Sequence, residues 1–557
     1  MIDMNKIQSY LSKLYSGNKL AIAEEEFRKM LEGFSTSSFV EREPLSERSV
    51  YLITYGDSFL SENQKPLQVL KEVIDRTLSD TITDVHLLPM FPFTSDDGFS
   101  VVDYDQINPD LGDWTDIEEL AKNKRLMFDF VANHMSKDSL WFKNYLNRKP
   151  GFDEAFVACQ SDFDTTKVVR PRTSPLFHEY KNTQGELVSA WTTFSEDQVD
   201  VNVKDPIMLV RLTKVLLNYA QNGAASIRLD AIGFLWKESG TVCMHLPQTH
   251  TIVQLWNYLL SKLTPNTQII TETNVPHKDN ISYFGDTENE ANQVYQFPLP
   301  PLVLHSFINR NSIKLSEWAK TIDKVSETAT YFNFLASHDG IGLRPTEGIL
   351  SDEERQKLVN RVLQNKGKVS YKSNADGTQS VYEMNINYSS ALSDETEPEM
   401  TPQKMIAAHH ILLSVVGVPA IYSHSIFGSK NDLEGLEKSG INRRINREKL
   451  QKNVLFAELK EDAYRKAIYE GITKLIRIRA DEEAFNPYNP QEVLDISKQV
   501  FCLKRIGKTS DITCLTNLSN HEVMVEGVKG KNLITATEVN GGFLLPPYGC
   551  AWLKEEK

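Results

Sequence analysis

The sequence predicts an α/β fold: a closed (β/α)8 TIM barrel with inserted subdomains and a C-terminal antiparallel β domain. Three observations lead to it. Eight short β-branched and aromatic runs recur along the chain, separated by stretches long enough for helices. Two of those separations far exceed the roughly 30 residues of a strand and its crossover helix. Beyond about residue 484 the helical pattern gives way to short alternating strands broken by Gly-Gly and Pro-Pro.

The elements follow in order. Residues 1–48 form an N-terminal helical extension: Ile7, Leu11 and Leu14 share one helical face, and Phe27, Met30, Leu31 and Phe34 another, with Gly17 as a stop between them. The first part of the barrel spans 49–131, with strands at Val50 to Tyr55, Val85 to Leu88 and Leu126 to Val131. Asp129 and Asp230 are 101 residues apart, so an inserted subdomain is placed at 132–205. The middle part, 206–337, has strands at Ala225 to Leu229, Ile269 to Thr271, Val294 to Phe297 and Tyr331 to Leu335. The 79 residues between Asp339 and Val418 include the turn-prone stretch Lys372 to Ser380, which puts a second insertion at 338–402. The barrel closes over 403–483 with the strand Val418 to Tyr422, and the β domain occupies 484–557, with runs at Val500 to Arg505, Ile512 to Leu515 and Glu522 to Val525.

Composition narrows the functional classes. With 40% hydrophobic and 24% charged residues the chain has the balance of a soluble enzyme. Its net charge of −14 opposes nucleic acid, and no apolar run is long enough for a bilayer, so neither nucleic acid nor membrane is an expected partner. The start of the chain lacks a basic region followed by an apolar stretch. The five cysteines are scattered without a CxxC pair. Both features point to the cytoplasm, with no disulfide framework and no zinc site.

In a parallel barrel the chemistry sits at the carboxyl ends of the strands. Ser226-Ile-Arg-Leu-Asp230 places Arg228 and Asp230 on one strand face, Ile269-Ile-Thr-Glu272 ends in a carboxylate, and Phe334-Leu-Ala-Ser-His-Asp-Gly340 ends in His338 and Asp339. Each alone would be an ordinary capped strand or ion pair. Together they supply what glycoside chemistry needs, an ionised nucleophile and a carboxylic acid kept protonated by its surroundings, with Arg228 helping to keep Asp230 ionised.

The stretches Asp129-Phe-Val-Ala-Asn-His134, Arg228-Leu-Asp230, Glu272 and His338-Asp339 resemble the four signature regions of the α-amylase superfamily, glycoside hydrolase family 13. Longer strings resemble its sucrose phosphorylase subfamily: Leu52-Ile-Thr-Tyr-Gly-Asp57, Asp96-Asp-Gly-Phe99, Arg170-Pro-Arg172, Lys237-Glu-Ser-Gly240, His338-Asp-Gly-Ile-Gly342 and Ile445-Asn-Arg447. The resemblance implies Asp230 as nucleophile, Glu272 as general acid/base and Asp339 as transition-state stabiliser. It also implies Asp96, His134, Arg228, His338 and Arg443 around the glucosyl ring, and Arg172 and Tyr382 as phosphate ligands. The expected reaction is reversible, retaining phosphorolysis of a small α-glucoside, with inorganic phosphate as the other substrate and no cofactor. An arginine fork agrees with this, because it can hold phosphate over a glucosyl ester that water would otherwise hydrolyse. Arg344 and Lys237 are candidates to add charge, and Arg170 is left open.

At one position the chain departs from the sucrose phosphorylase pattern: Glu383, instead of glutamine, follows Tyr382. Trp191-Thr-Thr-Phe194, Thr271-Glu-Thr-Asn-Val-Pro-His277 and Tyr331-Phe-Asn-Phe-Leu-Ala-Ser337 resemble the glucosylglycerate branch, with glucosylglycerol, sucrose and sucrose 6-phosphate as alternative substrates. Glu383 is expected to accept hydrogen bonds from acceptor hydroxyls. A noncatalytic amylase-like binding protein would have lost one of the three carboxylates, and a plain hydrolase has no need of Arg172. His409-His410 reads as a helix-surface pair and not a metal site. Asn133 and His134 resemble calcium ligands of amylases, but no metal is expected. The oligomeric state stays open.

Overall fold

The structure is a computed structural model that describes residues 2–374 and 376–557. Eight parallel strands close into the expected barrel: β1 (Tyr51–Thr54), β2 (Asp84–Leu87), β3 (Arg125–Phe130), β4 (Ala224–Leu229), β5 (Gln268–Thr271), β6 (Gln293–Tyr295), β7 (Thr330–Phe334) and β8 (Val418–Tyr422). Each lies within two residues of its sequence-predicted run. Nearly every residue of these strands is buried, since one face fills the barrel and the other meets the helical ring. Prolines open the helices Pro66–Thr77, Pro206–Gln221 and Pro247–Leu263, where the absent N–H costs nothing.

The N-terminal segment forms two helices, Met4–Leu14 and Gly17–Leu31, which pack on Pro247–Leu263 and Pro206–Gln221 respectively. They bury Ile7, Leu11, Phe27 and Leu31.

Between β3 and β4 the chain pairs His134–Ser136 with Gln198–Asp200 and folds the hairpin Phe177–Lys181 and Leu187–Trp191. Between β7 and β8 it forms a three-stranded antiparallel sheet in the order Ile341–Gly342, Gln379–Asn385, Lys368–Ser373, with the helix Asp352–Gln364 packed against it. These excursions rise from the strand ends that carry Asp129 and Asp339, so they wall the carboxyl face of the barrel.

The C-terminal sheet has six antiparallel strands, in the order Gln491–Val493, Val500–Ile506, Ser510–Asn517, Cys550–Glu556, Val523–Asn532, Thr537–Leu545. It covers the helix Thr401–Ser414, and this corrects the reading of His409-His410 as a surface pair. Both rings are buried: His409 Nδ1 lies 2.7 Å from the Met405 carbonyl, and His410 Nδ1 lies 2.9 Å from Thr516 Oγ1. His410 also stacks on Trp552, with ring centroids 4.8 Å apart. Burial pushes the two imidazoles down to about 4 and about 3, so they pack as neutral rings.

Candidate active site

Register builds the floor of the site. Asp129 of β3 lies directly opposite Arg228 of β4, and backbone bonds from Asp230 N to Phe130 O (3.1 Å) and from Glu272 N to Leu229 O (3.2 Å) carry the ladder past the strand ends. Buried Arg228 donates through Nη1 to Asp129 Oδ1 (2.5 Å) and Asp230 Oδ1 (2.9 Å), and through Nε to Tyr295 OH (3.0 Å). His86 Nε2 meets the other Asp129 oxygen at 2.8 Å. Burial works against the Arg228 charge, but Asp129, Tyr295 and Asp230 outweigh it and hold the guanidinium charged.

Asp230 and Glu272 flank that single guanidinium. Burial pushes the Asp230 carboxyl up, Arg228 pulls against it, and Glu272 adds to the push. Burial pushes Glu272 up as well. Both carboxyls therefore resist ionisation in one pocket. Arg228 bonds Asp230 directly, whereas its Nη2 stands 3.9 Å from Glu272 Oε2. That direct contact favours the ionised form of Asp230 over that of Glu272. Glu272 Oε2 accepts from the Ala231 N–H at 3.0 Å, which leaves Oε1 free of that bond.

Asp339 differs in its partners. Although burial opposes its charge, Arg443 and Arg447 hold its carboxyl well below the usual range, with Arg443 Nη1 at 2.8 Å. His338 is stacked on Phe99 at 4.9 Å and kept neutral by burial. His134 is also neutral through burial. The Phe99 carbonyl, 3.1 Å from Nε2, can only accept, so Nε2 carries the hydrogen and Nδ1 accepts from Asn133 Nδ2 at 3.2 Å.

Asp96 sits on the opposite wall, in a turn whose neighbour Asp97 is also left-handed (φ 52° and 49°). Asp97 pins the turn by accepting from Arg444 at 2.5 Å and Arg447 at 2.6 Å. Neither Asp97 nor Arg447 was singled out from sequence for a role at the site, and Asn274, Gln198 and Phe194, which also line the pocket, were missed as individual site residues. Asn274 and Phe194 lie inside strings that carried the resemblance, which was the available signal for them.

The pocket gathers Asp96, His134, Asp230, Glu272, His338, Asp339, Glu383, Arg443, Arg172 and Tyr382 around one opening, with Arg228 beneath. Arg172 lies over the rings of Tyr382 (5.4 Å) and Phe194 (5.8 Å), and burial pushes the Tyr382 hydroxyl up to about 12. Among the described residues no carboxylate pairs with Arg172 or with Arg344, which also lines the pocket.

Three of the charged residues named from the sequence have partners of their own. The Glu383 carboxylate, expected to meet acceptor hydroxyls, already has a cation as its partner. Glu383 is 2% exposed, and both its oxygens are taken bidentately by Arg443. Lys237 adds no charge to the pocket, because its ammonium is buried against Asp200 Oδ2 (2.6 Å), Asn133 Oδ1 (2.8 Å) and the Phe234 carbonyl (2.5 Å). That cage of three oxygens is filled by a lysine. Arg170 turns back onto the Ser174 carbonyl and does not line the pocket.

Comparison with known proteins fits this geometry. Residues 65–382 match the alpha amylase catalytic domain model. The chain is 43% identical to a glucosylglycerate phosphorylase of Escherichia coli (strain K12), over 99% of this chain and 100% of that one. It is 45% identical to a glucosylglycerate phosphorylase of Spirochaeta thermophila, over 86% and 82%. The crystal structure of sucrose 6F-phosphate phosphorylase from Thermoanaerobacter thermosaccharolyticum superposes with a TM-score of 0.75 at 25% identity, covering 90% of this chain and 98% of that one.

Proposed function

The chain belongs to the alpha-amylase family, and from that membership we propose the reaction it catalyses: reversible, retaining phosphorolysis of 2-O-α-glucosylglycerate to α-glucose 1-phosphate and glycerate. The likeness to glucosylglycerate phosphorylases along nearly the whole chain supports the substrate. The observation that carries phosphorolysis over hydrolysis is Arg172, a cation with no carboxylate partner among the described residues, in the same pocket as Asp230 and Glu272.

In this reading Glu272 gives its proton to the glycosidic oxygen while Asp230 attacks the anomeric carbon, so the C–O bond to glycerate breaks and a β-glucosyl ester forms. Asp339, held ionised by Arg443, stabilises the positive charge that develops on the sugar. Phosphate, gripped by Arg172 and Tyr382, then attacks the same carbon. The ester bond breaks, Asp230 recovers its charge, and Glu272 takes the proton that the phosphate hydroxyl gives up. Two inversions leave the α configuration. Asp96, His134, Arg228, His338 and Arg443 surround the glucosyl ring, and Glu383 acts through Arg443.

No helix among the described residues is long and apolar enough to cross a membrane. The cytoplasm is the proposed compartment, which suits five free cysteines and a phosphate co-substrate. Incubating the enzyme with glucosylglycerate with and without phosphate tests the function. Release of α-glucose 1-phosphate, with little turnover when phosphate is omitted, is expected; equal glucose release in both arms would make the enzyme a hydrolase.

A further inference from the structure

Arg344 is the one arginine of the pocket wall that neither the ring contacts nor the phosphate grip uses. It opens a short 3-10 turn, Arg344–Thr346, stiffened by Pro345 and by Thr346 Oγ1 donating to the Leu343 carbonyl at 2.6 Å. The turn is tied to the strand carrying Tyr382 and Glu383: Leu343 N donates to Tyr382 O at 3.1 Å, and Gly342 pairs with Glu383. Beneath it, a Cβ on Gly342 would stand 2.7 Å from Asn274 Oδ1, so only glycine lets the turn lie against the segment that follows Glu272. Arg344 thereby lines the same pocket wall as Asn274 and Tyr382, in the pocket that holds Glu272.

Its charge is unmet. The Nε is buried without a hydrogen-bond partner, and among the described residues no carboxylate pairs with the guanidinium. Glu347, on the same turn, has Lys372 at 4.0 Å, and Glu383 is fully engaged by Arg443. A half-buried guanidinium with an unsatisfied donor is costly unless an anion completes it.

We propose that Arg344 selects the acceptor by donating to the carboxylate of a three-carbon hydroxy acid, leaving the hydroxyls of that acid to face Glu272 and the glucosyl ester. This rests on the phosphorylase reading above. It accounts for two unpaired arginines in one pocket: Arg172 for the phosphate of one half-reaction and Arg344 for the carboxylate of the other. It also disfavours glycerol, which has no charge to offer.

The test is the reverse reaction, with α-glucose 1-phosphate as donor and D-glycerate or glycerol as acceptor, for the wild type, Arg344→Gln and Arg344→Lys. Both acceptors meet the same glucosyl ester, so the glycerate-to-glycerol ratio of kcat/KM cancels any damage to the donor half-reaction. The glutamine variant should lose at least tenfold of that ratio, about 1.4 kcal/mol. The lysine variant should fall between, and it decides the matter if the glutamine variant does not fold. A wild type that prefers glycerate, with variants that keep the preference, overturns the Arg344 assignment alone. A wild type that ignores glycerate overturns the proposed function and the assignment with it.

Discussion

Glu383 and Arg443 meet fork to fork, Nε to Oε1 at 2.9 Å and Nη2 to Oε2 at 3.0 Å, with the carboxylate almost fully buried. The remaining nitrogen of Arg443 reaches Asp339 at 2.8 Å and Asp96 at 4.0 Å. One guanidinium therefore sits among three carboxylates, and Glu383 supplies the part of the neutralisation that does not involve the reacting centre. The pair links the strand Gln379–Asn385 to the wall that carries Asp96 and Asp339.

Glu383→Gln should consequently act on the donor side. A glutamine accepts one of the two hydrogen bonds and leaves Arg443 to lean harder on Asp339. We expect a stability loss of about 1–3 kcal/mol, the cost of spoiling a buried charge-assisted bond. We also expect lower kcat/KM for every donor, while the ratio of glycerate to glycerol as acceptors holds. Thermal unfolding and an acceptor panel check both parts, and a changed ratio would restore Glu383 as an acceptor ligand.

That pair shows why the fold was more legible than the wiring of its site. The barrel strands announce themselves because both their faces are buried, so each is a compact apolar run, and the polar residue ending it is placed by the fold at the carboxyl face. The partner of Glu383 lies 60 residues away and depends on how the second insertion folds back. Lys237 reads as a basic residue near the site, yet only the register of Gln198–Asp200 against His134–Ser136 reveals the oxygen cage around its ammonium. His409-His410 failed in the same way: a helix can show its own periodicity but not the sheet that will cover its outer face.

Glu272→Gln should cost on the order of 10²–10⁴ in rate with glucosylglycerate and much less with α-glucosyl fluoride, whose leaving group needs no proton. The pH profile carries a second signature. Burial raises the Glu272 pKa above its ordinary 4.5, so the acid form persists to higher pH, and forward activity should fall as pH rises through that raised value. A group raised on folding contributes stability that is present below its unfolded pKa and lost as pH rises through the folded one. The glutamine variant should therefore lose both the basic limb of activity and that slope of stability. Parallel limbs in the two proteins would assign the limb to another group.

Arg172→Ala removes the cation stacked over Tyr382 and Phe194 while leaving Asp230, Glu272 and Arg228 in place. The glucosyl ester should still form, and water should take more of it. A phosphate KM raised about tenfold to a hundredfold, the range of 1.5–3 kcal/mol for a charge-assisted bond, is expected together with a higher ratio of glucose to α-glucose 1-phosphate. Steady-state kinetics against phosphate, with both products quantified, separate this from a general loss of activity.

Asp97 carries the last prediction, because its backbone and side chain can be tested apart. Asp96 and Asp97 stand one after the other in the left-handed region, which costs an ordinary L-residue about 1–2 kcal/mol and is tolerated best by glycine, asparagine and aspartate. The next residue, Gly98, cannot share the burden by becoming larger, since a Cβ there would lie 2.7 Å from the Pro89 carbonyl oxygen. The Asp97 carboxylate clamps Arg444 and Arg447, and Arg447 in turn holds the His338 carbonyl at 2.8 Å and stands 3.9 Å from Asp339. Asp97→Asn keeps the turn and removes the charge, so it should raise the donor KM through a looser Arg447 while changing stability less. Asp97→Ala should add the backbone cost and unfold at a lower temperature than the asparagine variant. Equal unfolding temperatures would mean that the ion pairs alone hold the turn and that its left-handed backbone is not under strain.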